Sequence, residues 1–288
     1  MTEAPSISEE VVSELLAWGG PRLRDLPWRR TRDPWGVLVS EVMAQQTQVA
    51  RIIPRWEAFM ERFPTPESLA EAPLADLLRL WQGLGYPRRA RALHEAARRI
   101  RDSGRFPSTV EELMDLPGVG PYTARAVAAF AFDLDVGVLD TNVGRLLARL
   151  AGERLRPAAA QSMADDLVPK GDAWIWNQVV MDFGATVCTA RSPRCDHCPV
   201  SGRCAWAGST ERADPAQGSA GVSGKQARFE GSDRQARGRL LAALVDGPIL
   251  AVAVAVVMDR DSAVADRLLA DLVAEGLCRR VDDEIVLG

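Results

Sequence analysis

The stretch Leu116-Pro-Gly-Val-Gly-Pro-Tyr-Thr-Ala124 governs how the rest of the chain is read. It stands between two helical patterns, Thr109 to Met114 before it and the alanine-rich run Tyr122 to Phe132 after it. Gly118 and Gly120 permit backbone conformations closed to other residues and leave the amides of the turn uncovered. Amides gathered at the start of a helix form an anion site that suits one phosphate. Taken alone, such a loop also reads as a plain tight turn between helices.

Outward from this turn, helical periodicity dominates. Ser8 opens a helix through about Trp18, with Val11, Val12, Leu15 and Leu16 on one face. Asp33-Pro34 opens the next, through Val37, Leu38, Val42 and Met43, and Pro66 and Pro73 start shorter ones. Residues 88–101 form an arginine-rich helix with Ala90, Leu93, Ala97 and Ile100 aligned, and Thr141–Ala151 and Asp172–Phe183 complete the set. No alternating strand pattern precedes the C-terminus, so the first 205 residues read as all-α. From Ala207 to about Phe229 the composition shifts to Gly, Ser, Ala and Gln, as in a flexible linker. Two further helices (Ser232–Val245 and Ala263–Glu275) and a hairpin turning at Asp282-Asp283 then suggest a small winged-helix-like α+β module.

The 288 residues are 47% apolar and 26% charged, ordinary for a globular protein with a sizeable core. The longest apolar stretch, Ile249 to Met258, is too short to span a bilayer, and the acidic start MTEAPSISEE does not resemble a signal peptide. A cytoplasmic, nucleoid-associated protein with no membrane partner is expected. Net charge is −4, yet residues 79–106 carry eight Arg against Glu95 and Asp102. That basic island fits either a phosphate-binding face or a solvated helix surface. Only two His and two Lys occur, which excludes a multi-histidine metal site. Four of the five cysteines, Cys188, Cys195, Cys198 and Cys204, follow the spacing C-x6-C-x2-C-x5-C. Only one C-x2-C pair is present, so the spacing favours a [4Fe–4S] cluster over a zinc site or redox thiols. Cys278 reads as a small core residue.

The order of these motifs resembles that of the helix-hairpin-helix DNA glycosylases with an iron–sulfur cluster: the hairpin, then Leu139-Asp-Thr-Asn-Val143, then the cysteine loop. Leu26-Pro-Trp-Arg29, Ser40-Glu-Val-Met-Ala-Gln-Gln-Thr47 and Gly83-Leu-Gly-Tyr86 are similar to the adenine DNA glycosylases of the MutY type, over about residues 8–206. The resemblance implies a two-lobed core. Residues 28–130 would form a six-helix barrel, 1–27 and 131–206 an iron–sulfur domain, 207–229 a linker and 230–288 the winged-helix-like module. It also implies a monomer acting on double-stranded DNA that contains a mismatch, removing adenine opposite 8-oxoguanine or guanine.

Breaking a purine N-glycosidic bond calls for an acid that protonates the base and a carboxylate that supports the developing oxocarbenium. Glu41, on an apolar helix face, is the candidate acid, its pKa raised by burial. Asp140, just before a helix, is the candidate carboxylate, kept ionised by the helix N-terminus. The resemblance gives Tyr122 and Asn142 to the support of these carboxylates, and Trp28, Arg29 and Gln178 to the pocket for the extruded adenine. It places Gln46, Thr47, Leu84 and Tyr86 at the wedge into the duplex, and Gly118, Val119 and Gly120 at a DNA phosphate. Related lyases such as endonuclease III carry a lysine two residues after the second hairpin glycine; Tyr122 stands there here, which implies a monofunctional enzyme.

Two features depart from the pattern. Ala44 replaces the usual leucine near the base pocket, which enlarges that space. The tail is also too short for the Nudix-like domain that typically reads 8-oxoguanine, and its first helix, with Arg234, Arg237 and Arg239, suits either DNA or a protein partner. The rival readings are a mismatch thymine or uracil glycosylase, an oxidised-pyrimidine glycosylase of the same fold, or a non-catalytic iron–sulfur DNA-binding regulator.

Overall fold

The computed structural model describes residues 7–222 and 228–288. In chain order the helices are α1 (Glu9–Gly19), α2 (Pro34–Ala44), α3 (Val49–Arg62), α4 (Pro66–Glu71), α5 (Leu74–Leu80), α6 (Arg88–Ser103), α7 (Val110–Met114), α8 (Pro121–Ala131), α9 (Thr141–Ala151), α10 (Pro157–Asp166) and α11 (Ala173–Thr186). The tail adds α12 (Asp233–Asp246), β1 (Ile249–Leu250), α13 (Val254–Met258), α14 (Ser262–Ala274), β2 (Cys278–Val281) and β3 (Glu284–Leu287). Among the described residues, no helix is long and apolar enough to cross a membrane.

The chain divides into two compact units. One comprises residues 1–37, 108–114 and 120–225. Its core joins Val11 and Leu15 of α1 to Leu146 and Leu147 of α9 and Val179 and Phe183 of α11. Trp18 meets Phe183 edge-on at 5.0 Å. Burying a side chain of this size contributes about 1.5–3 kcal/mol. Asp33 caps α2 by accepting from the Gly36 amide at 2.8 Å. Ser8 stands at the start of α1 as expected but makes no side-chain cap there.

The other unit comprises residues 38–107, 115–119 and 226–288. Helix α6 buries Ala90, Leu93, Ala97 and Ile100, as its periodicity predicts, and ends on Gly104 in the left-handed conformation. Helix α4 opens with a reciprocal Thr65–Ser68 capping box. The tail keeps the expected helices and hairpin and adds β1 and α13. The three strands form one antiparallel sheet, ordered β1-β3-β2. Cys278 is buried there, as predicted.

Two helices, α3 and α10, were not predicted, and the expected flexible linker is corrected over 207–222. There, Ala216 and Ser219 are buried. The Ala220 amide donates to the Leu155 carbonyl at 3.0 Å, and the Ser219 hydroxyl accepts from the Leu155 amide at 3.1 Å. Small side chains let this segment lie flat: a Cβ on Gly144 would come within 2.4 Å of the Ala220 carbonyl oxygen. Residues 223–227 of the expected linker lie outside the described residues.

Candidate active site and cysteine loop

Asp140 is the N-cap of α9. Its Oδ1 accepts from the amides of Asn142 (2.8 Å) and Val143 (2.7 Å), and its Oδ2 from Asn142 Nδ2 (2.8 Å). Arg145 in turn donates to Asn142 Oδ1 at 2.9 Å, so a cation backs the amide that backs the carboxylate. The approach is close: a Cβ on Gly184 would strike the Asn142 Cβ at 2.7 Å. Burial pushes the Asp140 carboxyl above the usual aspartate range, and the three hydrogen bonds and the Arg145 charge offset only part of that. The helix N-terminus therefore meets Asp140 as predicted but does not by itself fix its charge. Tyr122, the second residue of α8, is half-buried.

Arg29 lies in a short 3-10 turn, Pro27–Arg29. It is expected around the extruded adenine, and its guanidinium is engaged by Asp182, with NH1 at 2.7 Å and NH2 at 2.9 Å. Arg24 donates to the same carboxylate through its amide (2.9 Å) and Nε (2.7 Å). Burial alone would raise the Asp182 pKa, but these donors outweigh it and hold the carboxyl below the usual range. Arg29 thus anchors the turn that carries half-buried Trp28 onto α11, the helix on which Gln178 is buried.

Glu41 is buried on α2, with only 6% of its surface exposed, between the buried residues Leu38 and Met43. Ala44 closes the helix. The segments after it are clipped by a residue that sequence reasoning missed. Arg89 NH1 donates to the carbonyls of Val42 (2.8 Å), Met43 (3.0 Å) and Gln45 (2.6 Å). Its NH2 donates to Thr47 Oγ1 (3.2 Å) and to the carbonyls of Leu84 (2.9 Å) and Gly85 (3.0 Å). One cation thereby caps the negative end of the helix bearing Glu41 and ties it to two loops. Burial lowers the Arg89 pKa to about 10, so it stays charged at neutral pH. In the sequence Arg89 is one of eight arginines in the island; only the fold distinguishes it.

The four residues assigned to a wedge behave differently. Gln46 is exposed and Tyr86 half-buried, both with positive φ (57° and 49°). Backbone of this kind in a non-glycine residue costs about 1–3 kcal/mol and persists where its surroundings hold it. Leu84, by contrast, is only 4% exposed, and the Thr47 hydroxyl donates to the Leu84 carbonyl at 3.2 Å. Leu84 and Thr47 therefore brace the two loops, and their side chains do not project as wedges.

In the hairpin, Gly118 and Gly120 are exposed, while the Val119 side chain is buried. Gly118 has φ +75°, and a Cβ there would strike the Ala92 Cβ at 2.7 Å, so both turn and packing require glycine. The basic island is largely committed to the protein itself: beyond Arg89, Arg88 pairs with Glu275 and Arg99 donates to the Asp115 carbonyl.

The four cysteines line one cavity together with Leu146, Phe183, Val187 and Val200. Arg149 reaches into it, donating to Cys188 Sγ at 3.3 Å and to Asp214 Oδ2 at 2.6 Å, and it stacks 4.7 Å from the Trp206 ring centre. The Ala207 amide donates to Cys204 Sγ at 3.3 Å. A Cβ on Gly208 would lie 3.0 Å from Cys195 Sγ. Burial pushes the Cys188 and Cys195 thiols up and that of Cys198 to about 11, so as free thiols they would stay protonated and unreactive. Four cysteines lining one cavity, an apolar wall and N–H donors aimed at two of the sulfurs fit an iron–sulfur cluster.

The model of the HhH-GPD superfamily of base excision DNA repair proteins matches residues 39–169, and that of the iron–sulfur binding domain of endonuclease III matches residues 188–204. The adenine DNA glycosylase of Mycolicibacterium smegmatis is 43% identical over 279 residues, covering 94% of this chain and 93% of the relative. That of Mycobacterium tuberculosis is 44% identical over 282 residues, covering 94% and 91%. Among solved structures, a thermostable thymine-DNA glycosylase superposes with a TM-score of 0.67 at 31% identity, over 69% of this chain and 96% of that one. A trapped endonuclease III–DNA covalent intermediate superposes with a TM-score of 0.62 at 26% identity, over 72% and 100%. The chain belongs to the adenine DNA glycosylases of the HhH-GPD superfamily, adenine-specific DNA N-glycosylases with an iron–sulfur binding domain.

Proposed function

We propose that the chain acts as a monomer on duplex DNA, removes adenine mispaired with 8-oxoguanine or guanine, and leaves an abasic site without an efficient lyase step. The observation that carries this reading is Asp140, half-buried at the start of α9 and held by three N–H donors. Glu41 donates a proton to adenine N7. The C1′–N9 bond breaks, adenine leaves neutral, and the positive charge left on the sugar is supported by the Asp140 carboxylate. Water then adds at C1′ and gives up a proton to the Glu41 carboxylate, which restores the acid. Tyr122 and Asn142 assist the carboxylates. Trp28, Gln178 and Ala44 contribute to the base pocket, and Gly118 and Gly120 hold a phosphate. Lys170 and Lys225 are the only lysines, so an amine nucleophile at the hairpin is lacking.

Cys188, Cys195, Cys198 and Cys204 hold a [4Fe–4S] cluster. Holding it, these four residues would be tied together across the loop that carries exposed Arg191, Arg194 and Arg203.

The test is single-turnover excision from duplexes bearing A:8-oxoguanine, A:G, T:G and U:G. Wild type is expected to cleave the first two, and Glu41→Gln and Asp140→Asn to lose about 10²-fold or more. Borohydride should trap no efficient adduct. Preferential cleavage of T:G or U:G, or efficient trapping, would sink the reading.

A further inference from the structure

The tail carries an arginine that reaches Tyr86. Arg234, in the first turn of α12, donates from NH1 to the Tyr86 hydroxyl at 2.8 Å. Its guanidinium carbon lies 5.7 Å from the Tyr86 ring centre and 5.3 Å from that of Phe229. Arg89 adds a second cation 5.6 Å from the Tyr86 ring. Tyr86 itself follows Gly85 (φ 72°) and has φ 49°, so its backbone does not settle in this conformation unaided.

The tail is seated on the helix that leaves this turn. Glu275, just past α14, accepts from Arg88 of α6 and from Arg237 of α12 at 2.5 Å, and its carbonyl accepts from Arg91 of α6. Two core arginines and one tail arginine thus converge on one residue. Arg88 and Arg91 belong to the basic island, so part of the apparent phosphate-binding face is the seat of the tail.

We infer that the C-terminal module is a positioning element for Tyr86, with Arg234 as the positioning residue. A planar guanidinium both hydrogen-bonds the hydroxyl and packs near the ring, which fixes ring orientation and distance together. Holding Tyr86 in place before DNA arrives removes the cost of ordering it at the moment of binding. This inference rests on the reading above, in which Tyr86 enters the duplex near the opposite base. It assigns the tail to the DNA-engaging edge of its own chain, and no separate protein partner is required.

The chain has only two tyrosines, Tyr86 and Tyr122, so tyrosine-selective isotope labelling of the full-length holoprotein gives two ring signals, assigned with Tyr122→Phe. In the DNA-free protein Arg234→Ala should shift the Tyr86 ring resonances and leave those of Tyr122 in place, with visible cluster absorbance and melting temperature unchanged. Arg234→Lys should restore only part of the shift. Duplex binding is then measured with a non-cleavable adenine analogue opposite 8-oxoguanine and opposite thymine. Arg234→Ala should cut the ratio of the two affinities about tenfold, with the saturated excision rate changing much less. Arg234→Ala combined with Tyr86→Phe should lose no more than either alone. Unmoved Tyr86 resonances, an unchanged affinity ratio or multiplicative losses would each overturn the inference. A wild-type protein that does not discriminate between the two duplexes would instead defeat the opposite-base reading, and the resonance arm would then decide the positioning by itself.

Discussion

Arg29 and Asp182 form a two-pronged ion pair, 2.7 and 2.9 Å, in which neither side chain is more than 7% exposed. Two charges taken out of water in this way are tolerated because each satisfies the other. Removing Arg29 leaves the carboxylate with Arg24 as its remaining cation. Arg29→Ala should therefore cost about 1.5–3 kcal/mol in denaturant unfolding, and Arg29→Lys should recover only part, since an ammonium cannot make the fork. The pair also has a pH signature. The folded Asp182 pKa is depressed, so its contribution is complete above the unfolded value of about 3.9 and fades as pH falls through the folded value. The difference in stability between wild type and Arg29→Ala should accordingly shrink only in strong acid.

Arg89 is a half-buried cation with carbonyl and hydroxyl partners, and its pKa of about 10 keeps it charged at neutral pH. Arg89→Lys preserves the charge but cannot reach acceptors on three segments at once. The expected result is a loss of about 2–4 kcal/mol in stability, read by thermal melting. Excision should fall beyond that at a temperature where the variant is still folded, because the end of α2 and the Thr47 and Tyr86 loops lose their common tie. Equal losses of Arg89→Lys and wild-type activity with temperature, once unfolding is allowed for, would reduce Arg89 to a stabilising role.

In the mechanism proposed above Asp140 acts ionised, and burial already moves its pKa upward. Asn142 Nδ2 supplies one of the three donors that restrain this rise. Asn142→Ala removes it, and the pKa climbs further. The acid limb of the single-turnover pH–rate profile should then shift to higher pH, so that the loss of activity at pH 5 exceeds the loss at pH 8. A uniform loss across the profile would mean that Asn142 acts only through shape.

What was legible in the sequence was local. Asp33 and Asp140 announce helix starts because a capping oxygen needs only the next few amides. The cysteine spacing is legible for the same reason. Helix α3 was not, since Pro54 in its second turn reads as a breaker, although a proline this near the start removes little of the hydrogen-bond ladder. Helix α10 opens on Pro157 and three alanines, too uniform to show an amphipathic face. Arg29, Arg89 and Arg88 look alike in the sequence, and their partners lie 153, 47 and 187 residues away. The segment 207–222 was read as a linker because small residues mark flexible chains. Here their smallness allows close approach, and its one buried ion pair, through Asp214, depends on an arginine 65 residues earlier.

That ion pair gives a last prediction. Arg149 is 2% exposed and Asp214 15%, and the same guanidinium that holds Asp214 also donates to Cys188 Sγ and stacks on Trp206. Asp214 therefore fastens the segment 207–222 to the cysteine loop through a single side chain. Asp214→Ala strands a buried cation beside the sulfur, a change worth about 3–5 kcal/mol. The segment should become sensitive to proteolysis, and the visible absorbance of the cluster should decay faster under a chelator. Cleavage between 207 and 222 at the wild-type rate, with unaltered cluster lifetime, would show that the small-residue packing against Leu155 and Gly144 holds the segment without the ion pair.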